Sequence, residues 1–442
     1  MKASKDSIDS NRVLKIALPM MLSNITVPLL GFVDTAVIGQ LADAKLIAAL
    51  GLGSILISSL YWMCGFLRMG TTGLTAQAKG SQQSDEVFLT LVRGLLLGII
   101  LGFFLLIIAY PIFFIFFSIS PAELSVETIA LKYAEIRVLS APFAIATIPL
   151  IGWLIALEKT LSVLFIQLFI NFLNVVLNLY FVFQLDFGIE GVAYATLISE
   201  VLGCLLALFI SFKNLDNFPN LLMKKIYKKE KWKKLLYINS NIFFRSLLLE
   251  LVFISFFFWA SSFGTNILAI NQILIQFLHI FAYSLDGFAF ASEVLVGIFY
   301  GKKNLVLLRK SVFLCASWCA LTALLLSAIF LIFGNTLIKF MTNAEEVLKI
   351  AKEFQFWIIF APLCSFPSYI MDGVFFGATH TSEMRKAMIF STIMYFILAL
   401  FLTSVFQNSG LWIALYVFLI IRAITLIYYY PNIERSVSSI KN

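Results

Sequence analysis

The sequence predicts an all-α polytopic membrane protein with twelve transmembrane helices in two six-helix bundles. Of its 442 residues, 61% are hydrophobic and only 13% are charged, and the mean hydropathy is +0.96. A soluble globular protein cannot cover so much apolar surface. The apolar residues also form long continuous runs. The first run, residues 14–40, would span roughly 39 Å as a helix, which is enough to cross a ~30 Å hydrocarbon core.

Hydrophobic runs and turn signals divide the chain into twelve predicted spans. Several of them exceed 25 residues, so we expect those helices to tilt, kink or project beyond the bilayer. The connections are short, apart from one linker between spans six and seven. In chain order the spans are 14–39, 46–78, 87–119, 126–157, 161–183, 189–212, 235–262, 267–299, 305–333, 347–377, 385–407 and 411–430.

Basic residues set the predicted orientation. With the N-terminus inside, about 26 of the 32 Lys and Arg residues fall on the inner side. The linker at 213–234 alone carries eight lysines. The pattern therefore predicts that both termini are cytoplasmic. The linker is read as a topology anchor, with binding to anionic membrane lipid as the alternative.

The two halves of the chain resemble each other. Residues 41–80 and 263–301 share a short loop, a long apolar helix and a final glycine, at an offset of about 221. The last two spans of each half match at about 219, with Gly191 against Gly410. Each half has an even number of spans, which predicts a pseudo-twofold axis along the membrane normal. The predicted domains are an N-terminal bundle at 1–212, the linker at 213–234 and a C-terminal bundle with a short tail at 235–442.

The first span carries one carboxylate, Asp34, and two prolines, Pro19 and Pro28. Proline frees a backbone carbonyl and kinks a helix, so both are predicted bending points. An aspartate in hydrocarbon costs roughly 2.5–3.5 kcal/mol and is usually a proton or ion site facing the protein interior. The alternative is that Asp34 lies at headgroup level, near the outer end of the span.

Polar residues of spans five and six match the depth of Asp34. Asn171, Asn174 and Asn178 share one helix face, and Thr196 lies at a similar depth on the next span. Amides and hydroxyls can hydrogen-bond either a carboxylate or a carboxylic acid, which allows Asp34 to change its protonation state in place. The sequence thus predicts a cation or proton site of Asp34, Asn174, Asn178 and Thr196. Ordinary polar contacts between spans five and six are the alternative.

Acidic residues also lie in the spans of the second half. They are predicted to form an acidic cavity suited to an organic cation or a coupling ion, although they differ in depth. Phenylalanine faces would add cation–π contacts. Glu200 of span six is a further buried acid to which the sequence assigns no partner. The acids of the predicted cavity are Glu250, Asp286, Glu293 and Asp372.

Motifs of other function classes do not occur in the sequence. It has no HExxH, no phosphate-binding glycine loop and no nucleophile–base pair at one depth, so neither an enzyme nor an ATP-driven pump is indicated. The five cysteines lie in apolar segments and are read as small core residues. We therefore expect no cofactor, no bound metal and no nucleic-acid partner.

Four segments resemble the MATE family of multidrug and toxic compound extrusion transporters, and its DinF-like branch in particular. They are LKIALPMMLSNITVPLLGFVDTAVIGQL, NFLNVVLNLYFVF with GIEGVAYATLISE, SLDGFAFASEVLVGIFYGKKN, and MDGVFFGATHTSEMRKAM. The resemblance extends over essentially the whole chain. It implies two six-helix bundles, alternating access, and efflux of cationic or amphipathic compounds driven by protons or sodium ions.

The resemblance also assigns roles to single residues. Asp34 matches a first-helix aspartate whose protonation is linked to bending at proline, and Asn174 and Thr196 match polar members of its pocket. Glu250 and Asp372 match acidic positions implicated in cation binding, whereas Asp286 and Glu293 belong to the LDG…E signature of the branch. One departure is clear: Asn178 stands where the pattern N-x-x-N-x-x-L-D has an aspartate. This loss of a carboxylate favours single-proton coupling at Asp34.

The predicted function is secondary active efflux across a bacterial inner membrane, in exchange for protons. Sodium coupling, and a flippase for a lipid-linked precursor, are the alternatives. A lipid-modifying membrane enzyme and a channel are disfavoured. We expect a monomer that contacts membrane lipids and small organic cations or amphipathic drugs.

Overall fold

The computed structural model describes residues 8–41, 43–215, 223–342 and 345–439, which form fourteen α-helices. They are α1 Ser10–Gly39, α2 Ala44–Met63, α3 Phe66–Gly80, α4 Ser84–Ser118, α5 Leu124–Val138, α6 Ala141–Ala156, α7 Thr160–Phe183, α8 Gly188–Lys213, α9 Met223–Ile226, α10 Lys229–Ser261, α11 Thr265–Gly301, α12 Leu305–Met341, α13 Glu345–Ala378 and α14 Thr381–Ser439. No strand occurs among the described residues. The all-α class predicted from the sequence is therefore confirmed.

Within the described ranges, ten helices or joined helix pairs are long and apolar enough to cross a membrane. One of them joins α2 and α3 into a single span, Ala44–Gly80. An eleventh span combines α5 and α6, which meet at a bend of 53°. The sequence predicted this pair as one uninterrupted span. Pro142 lies at the start of α6 and lacks the N–H that would continue the hydrogen-bond ladder of α5.

The twelfth span comes from α14, whose 59 residues are interrupted at Gln407. The backbone of Gln407 has φ 49° and ψ −126°, outside the helical region, and the eleventh predicted span ends at this residue. A Cβ at Gly410 would clash with the carbonyl oxygen of Leu402. Residues eight apart in a straight helix lie roughly 12 Å apart, so the chain reverses here into two antiparallel halves. The structure thus confirms twelve spans in the described chain.

The chain divides into two compact units. The N-terminal unit draws on Leu22–Thr75 and Gln83–Leu235, and the C-terminal unit on Met1–Met21, Ala76–Gln82 and Leu236–Asn442. The division falls inside α1, between its two prolines. An aromatic cluster anchors the core of the C-terminal unit, where the Phe256 and Trp412 rings meet edge to face at 5.2 Å. The domain boundaries at 212 and 235 stay a prediction.

Equivalent helix contacts recur in the two units at the predicted repeat offset. In the N-terminal unit, a Cβ at Gly152 would lie 2.5 Å from the carbonyl oxygen of Arg68. In the C-terminal unit, a Cβ at Gly373 would clash with the carbonyl oxygen of Ala289. Both members of the second pair lie about 221 residues after those of the first. The same close helix approach through a glycine is therefore built twice.

Reciprocal contacts between α3 and α11 give a second sign of the repeat, and all of them lie within the C-terminal unit. A Cβ at Gly80 would meet the carbonyl of Ile298, and a Cβ at Gly301 would meet the carbonyl of Gln77. Gly80 and Gly301 are 221 residues apart, and so are Gln77 and Ile298, so replacing each residue by its repeat equivalent converts either contact into the other. Ala76 and Gly297, which are themselves equivalent at this offset, lie in direct contact, with 2.6 Å between the Ala76 Cβ and a Cβ at Gly297.

The second half of the predicted linker is packed onto the N-terminal unit. Its residues 216–222 lie outside the described chain. Arg93 of α4 donates from Nε to the carbonyl of Ile226 at 3.1 Å and from Nη2 to the carbonyl of Lys225 at 2.8 Å. Trp232 Nε1 donates to the same Ile226 carbonyl at 3.0 Å. These bonds satisfy carbonyls at the end of α9, and α10 begins at Lys229, six residues before the predicted span.

Candidate functional site

A chain of buried hydrogen bonds starts at Asp34 in the N-terminal unit. Asn178 Nδ2 donates to Asp34 Oδ1 at 2.6 Å and to Asn174 Oδ1 at 2.9 Å. Asn174 Nδ2 donates to Thr196 Oγ1 at 2.8 Å, and the Thr196 hydroxyl donates to the carbonyl of Val192 at 2.9 Å. Asp34 is 7% exposed, and both asparagines are fully buried. All four residues of the predicted proton or cation site are thus joined in one network.

The asparagine face predicted on span five follows α1 along its length. Asn171 Nδ2 donates to the carbonyl of Thr26 at 3.1 Å, seven residues before the contact of Asn178 with Asp34 along the same helix. The i, i+3, i+7 spacing places the three amides on one side of α7. These bonds therefore tie α1 to α7 at two levels, of which only the Asp34 level carries a charge.

Glu200, which had no partner in the sequence interpretation, forms an ion pair with Arg137. The guanidinium is bidentate, with Nη1 to Oε2 at 2.9 Å and Nη2 to Oε1 at 3.1 Å. The Tyr61 hydroxyl donates to the Arg137 carbonyl at 2.9 Å, next to the bend between α5 and α6. Both charges act electrostatically on Asp34. Arg137 is itself buried.

A second charged cluster lies in the C-terminal unit around Asp372. Arg245 of α10 and Arg422 of α14 both donate from Nη2 to Asp372 Oδ2. All three side chains are less than a tenth exposed. The sequence interpretation missed both arginines. Their signal was present, since each is a charged residue within a predicted apolar span.

The other predicted residues have varied surroundings. Glu250 is exposed on α10, Asp286 is partly buried on α11, and Glu293 is 1% exposed on the same helix. Asp286 interacts electrostatically with Arg245, which joins it to the Asp372 cluster. The sequence predicted a cavity lined by four acids, whereas two guanidinium groups contact the Asp372 carboxylate directly. Of the two predicted bending residues in α1, Pro19 is buried and Pro28 is exposed.

Among the residues that the structure describes, no group of three His, Cys, Asp or Glu side chains lies together. The described chain does bury ionisable groups within membrane-spanning helices, namely Asp34, the Arg137–Glu200 pair and the Asp372 cluster. Duplicated bundles of such helices with ionisable residues in their interior are the architecture of secondary transporters.

Comparisons with known proteins place the chain within a family of that class. The sequence model of the MatE family matches residues 19–180 and 242–405, and the chain belongs to this family. It is 35% identical to DNA damage-inducible protein F of Escherichia coli K12 over 413 residues, 93% of this chain and 90% of the relative. It is 25% identical over 416 residues to a probable multidrug resistance protein NorM of Bacillus cereus, with 90% and 88% covered.

The fold matches that of solved MATE structures. A crystal structure of MATE in the bent conformation superposes with a TM-score of 0.88 at 19% identity, covering 98% of both chains. MATE proteins are transporters and not enzymes, so the protein is a membrane transporter. Its similarity to DNA damage-inducible protein F places it in the DinF-like branch, as the sequence motifs indicate.

Proposed function

We propose that this protein is a proton-coupled efflux antiporter in which Asp34 carries the coupling proton. The observation that carries the proposal is the buried network of Asp34, Asn178, Asn174 and Thr196. A carboxylate so placed in a membrane-spanning helix is by default a site for a proton or an ion. The matched NorM relative, described as a probable multidrug resistance protein, supports drug efflux as the transport reaction.

The network can serve both protonation states of Asp34. With the carboxylate ionised, the Asn178 amide nitrogen donates to it, as observed. With the carboxylic acid, rotation of the Asn178 amide would present Oδ1, which is buried without a partner in the described chain, as an acceptor for the acid proton. Asn174 and Thr196 can reverse their donor and acceptor roles in the same way. Hydrogen bonding therefore continues across the proton-transfer step.

Two features favour protons over sodium ions as the coupling ion. Asn178 stands in place of a second carboxylate, so the network of Asp34, Asn178, Asn174 and Thr196 contains a single carboxylate. At the other predicted site, the Asp372 carboxylate already contacts two guanidinium groups, which repel a cation. Sodium coupling through reoriented amide oxygens is the alternative outcome of the experiment below.

Transport by alternating access requires that the two conformations differ in proton affinity. We propose that protonation of Asp34 is linked to bending of α1 at Pro19 or Pro28, and that the bound compound is released outward. The proposal places the protein in the inner membrane as a monomer with both termini cytoplasmic, and takes cationic or amphipathic organic compounds as substrates. Membrane lipid surrounds the bundles.

Efflux from proteoliposomes tests this mechanism. Ethidium movement is followed under an imposed pH gradient and, separately, under an imposed sodium gradient. We expect pH-driven transport in the wild type, its loss in Asp34→Asn, and its retention in the matched control Asp186→Asn, an exposed carboxylate of the same unit. Sodium-driven transport that survives in Asp34→Asn would refute the coupling assignment.

A further inference from the structure

The two arginines at Asp372 have more hydrogen-bond donors than their surroundings use. Two guanidinium groups carry about ten N–H donors between them. Both groups contact the same carboxylate oxygen of Asp372. The Nε atoms of Arg245 and Arg422 are buried and have no hydrogen-bond partner in the described chain. Buried polar groups are normally satisfied, so these two N–H groups lack an acceptor of the kind that a bound oxyanion would supply.

Aromatic rings flank the two guanidinium groups. The Arg245 guanidinium lies 5.4 Å from the ring centre of Phe376, and that of Arg422 lies 5.8 Å from the ring centre of Tyr369. Asp286 is the further charge that acts on Arg245. The cluster therefore combines forked donors for an oxyanion with flat apolar faces for an organic body.

The repeat provides an internal comparison for this cluster. At the repeat offsets, the positions equivalent to Arg245, Asp372 and Arg422 in the first half are Asn24, Ile151 and Gly203, none of which is charged. Each unit has its own close helix contact at a glycine, Gly152 in the first and Gly373 in the second, and this contact forms with or without the charges. The bundle architecture thus does not require three buried ionised residues at this place.

We propose that Arg245 and Arg422 bind the acidic group of a transported amphipathic compound, an aromatic organic anion or zwitterion with a carboxylate or sulfonate. The inference rests on the proposed efflux function and names a substrate class for the C-terminal unit. Asp372 is the resident anion of this site and holds the two guanidinium groups in place until a substrate oxyanion takes its position. The Phe376 and Tyr369 rings then pack against the aromatic body.

Two dyes with the same ring system separate the acidic group from the apolar body. 8-Anilino-1-naphthalenesulfonate carries a sulfonate, and N-phenyl-1-naphthylamine lacks it. Equilibrium binding of each is measured on the full-length protein in nanodiscs, with binding to protein-free nanodiscs subtracted. We expect Arg245→Gln and Arg422→Gln to weaken sulfonate binding at least tenfold and to change binding of the neutral dye less than twofold. Arg435→Gln, an exposed arginine of α14, is the control and should change neither.

Asp372→Asn distinguishes a ligand site from a structural ion pair. It keeps both guanidinium groups and removes the resident anion, so we expect several-fold tighter sulfonate binding. Weaker or unchanged sulfonate binding in this variant would overturn the proposal, even where the arginine variants do not fold. Equal loss of both dyes in a folded arginine variant would also overturn it. Ethidium efflux driven by a pH gradient is measured in parallel, so failure of the anion site is distinguished from failure of the transport function.

Discussion

The ion pair between Arg137 and Glu200 gives a sharp stability prediction. Its side chains are only 10% and 18% exposed and meet through two hydrogen bonds of 2.9 and 3.1 Å. Removing one partner of such a pair leaves a buried charge uncompensated, at a cost of roughly 3–5 kcal/mol. Glu200→Gln and Arg137→Gln should each destabilise the protein by this amount. The double variant should lose much less than the sum, since it leaves no unpaired charge.

Thermal unfolding followed by tryptophan fluorescence measures this effect. An unfolding entropy of about 2.1 cal/mol/K per residue gives roughly 0.9 kcal/mol/K for the chain, so each single variant should lower Tm by about 3–5 °C. Glu123→Gln breaks an exposed ion pair with Lys45 in the same unit and is the matched control, with no detectable shift expected. Additive shifts, or single-variant shifts under about 1 °C, would refute the view that the pair is a mutually dependent buried unit.

Three further predictions concern the polar network and the repeat. Asn178→Asp places a second carboxylate beside Asp34, and we expect sodium-stimulated ethidium efflux that the wild type lacks; unchanged ion dependence would contradict this. Thr196→Val removes the hydroxyl that accepts from the amide chain, so pH-driven efflux should fall at least tenfold, whereas Thr196→Ser should retain it. Gly152→Ala brings a Cβ against a backbone carbonyl and should destabilise by about 1–3 kcal/mol in thermal unfolding. Gly51→Ala, where a Cβ meets open space, is its control, and equal Tm values for the two would count against the close packing.

Hydropathy predicted most of the fold because each span must present an apolar surface of bilayer length. The reversal at Gln407 was also predictable, since a run of polar residues ends the eleventh apolar segment there. The bend between α5 and α6 was missed because the hydrophobic run continues through it. Its signal was Pro142, whose missing N–H interrupts the helix without interrupting the hydrophobicity.

The sequence likewise predicted one part of the candidate sites and missed another. Helix periodicity and depth were sufficient to bring Asp34, Asn174, Asn178 and Thr196 together, because depth in a membrane is a shared coordinate for all spans. The partner of Glu200 lies 63 residues away in the sequence, and Arg245 lies 127 residues from Asp372. A single sequence contains no information on which charges pair across helices. The charges themselves were visible, and their partners were not.

The two halves share a scaffold but differ at their charged positions, and this difference bears on mechanism. At the repeat offset, Asp34 corresponds to Ser255, whose hydroxyl donates to the carbonyl of Val252 at 2.8 Å. The second half therefore lacks a carboxylate at this position, just as the first half lacks counterparts of Arg245 and Arg422. In the proposed mechanism, Asp34 of the first half binds the proton, and Arg245 and Arg422 of the second half bind the acidic group of the substrate. Proton coupling and anion binding are then separable by mutation, since each depends on residues that have no charged equivalent in the other half.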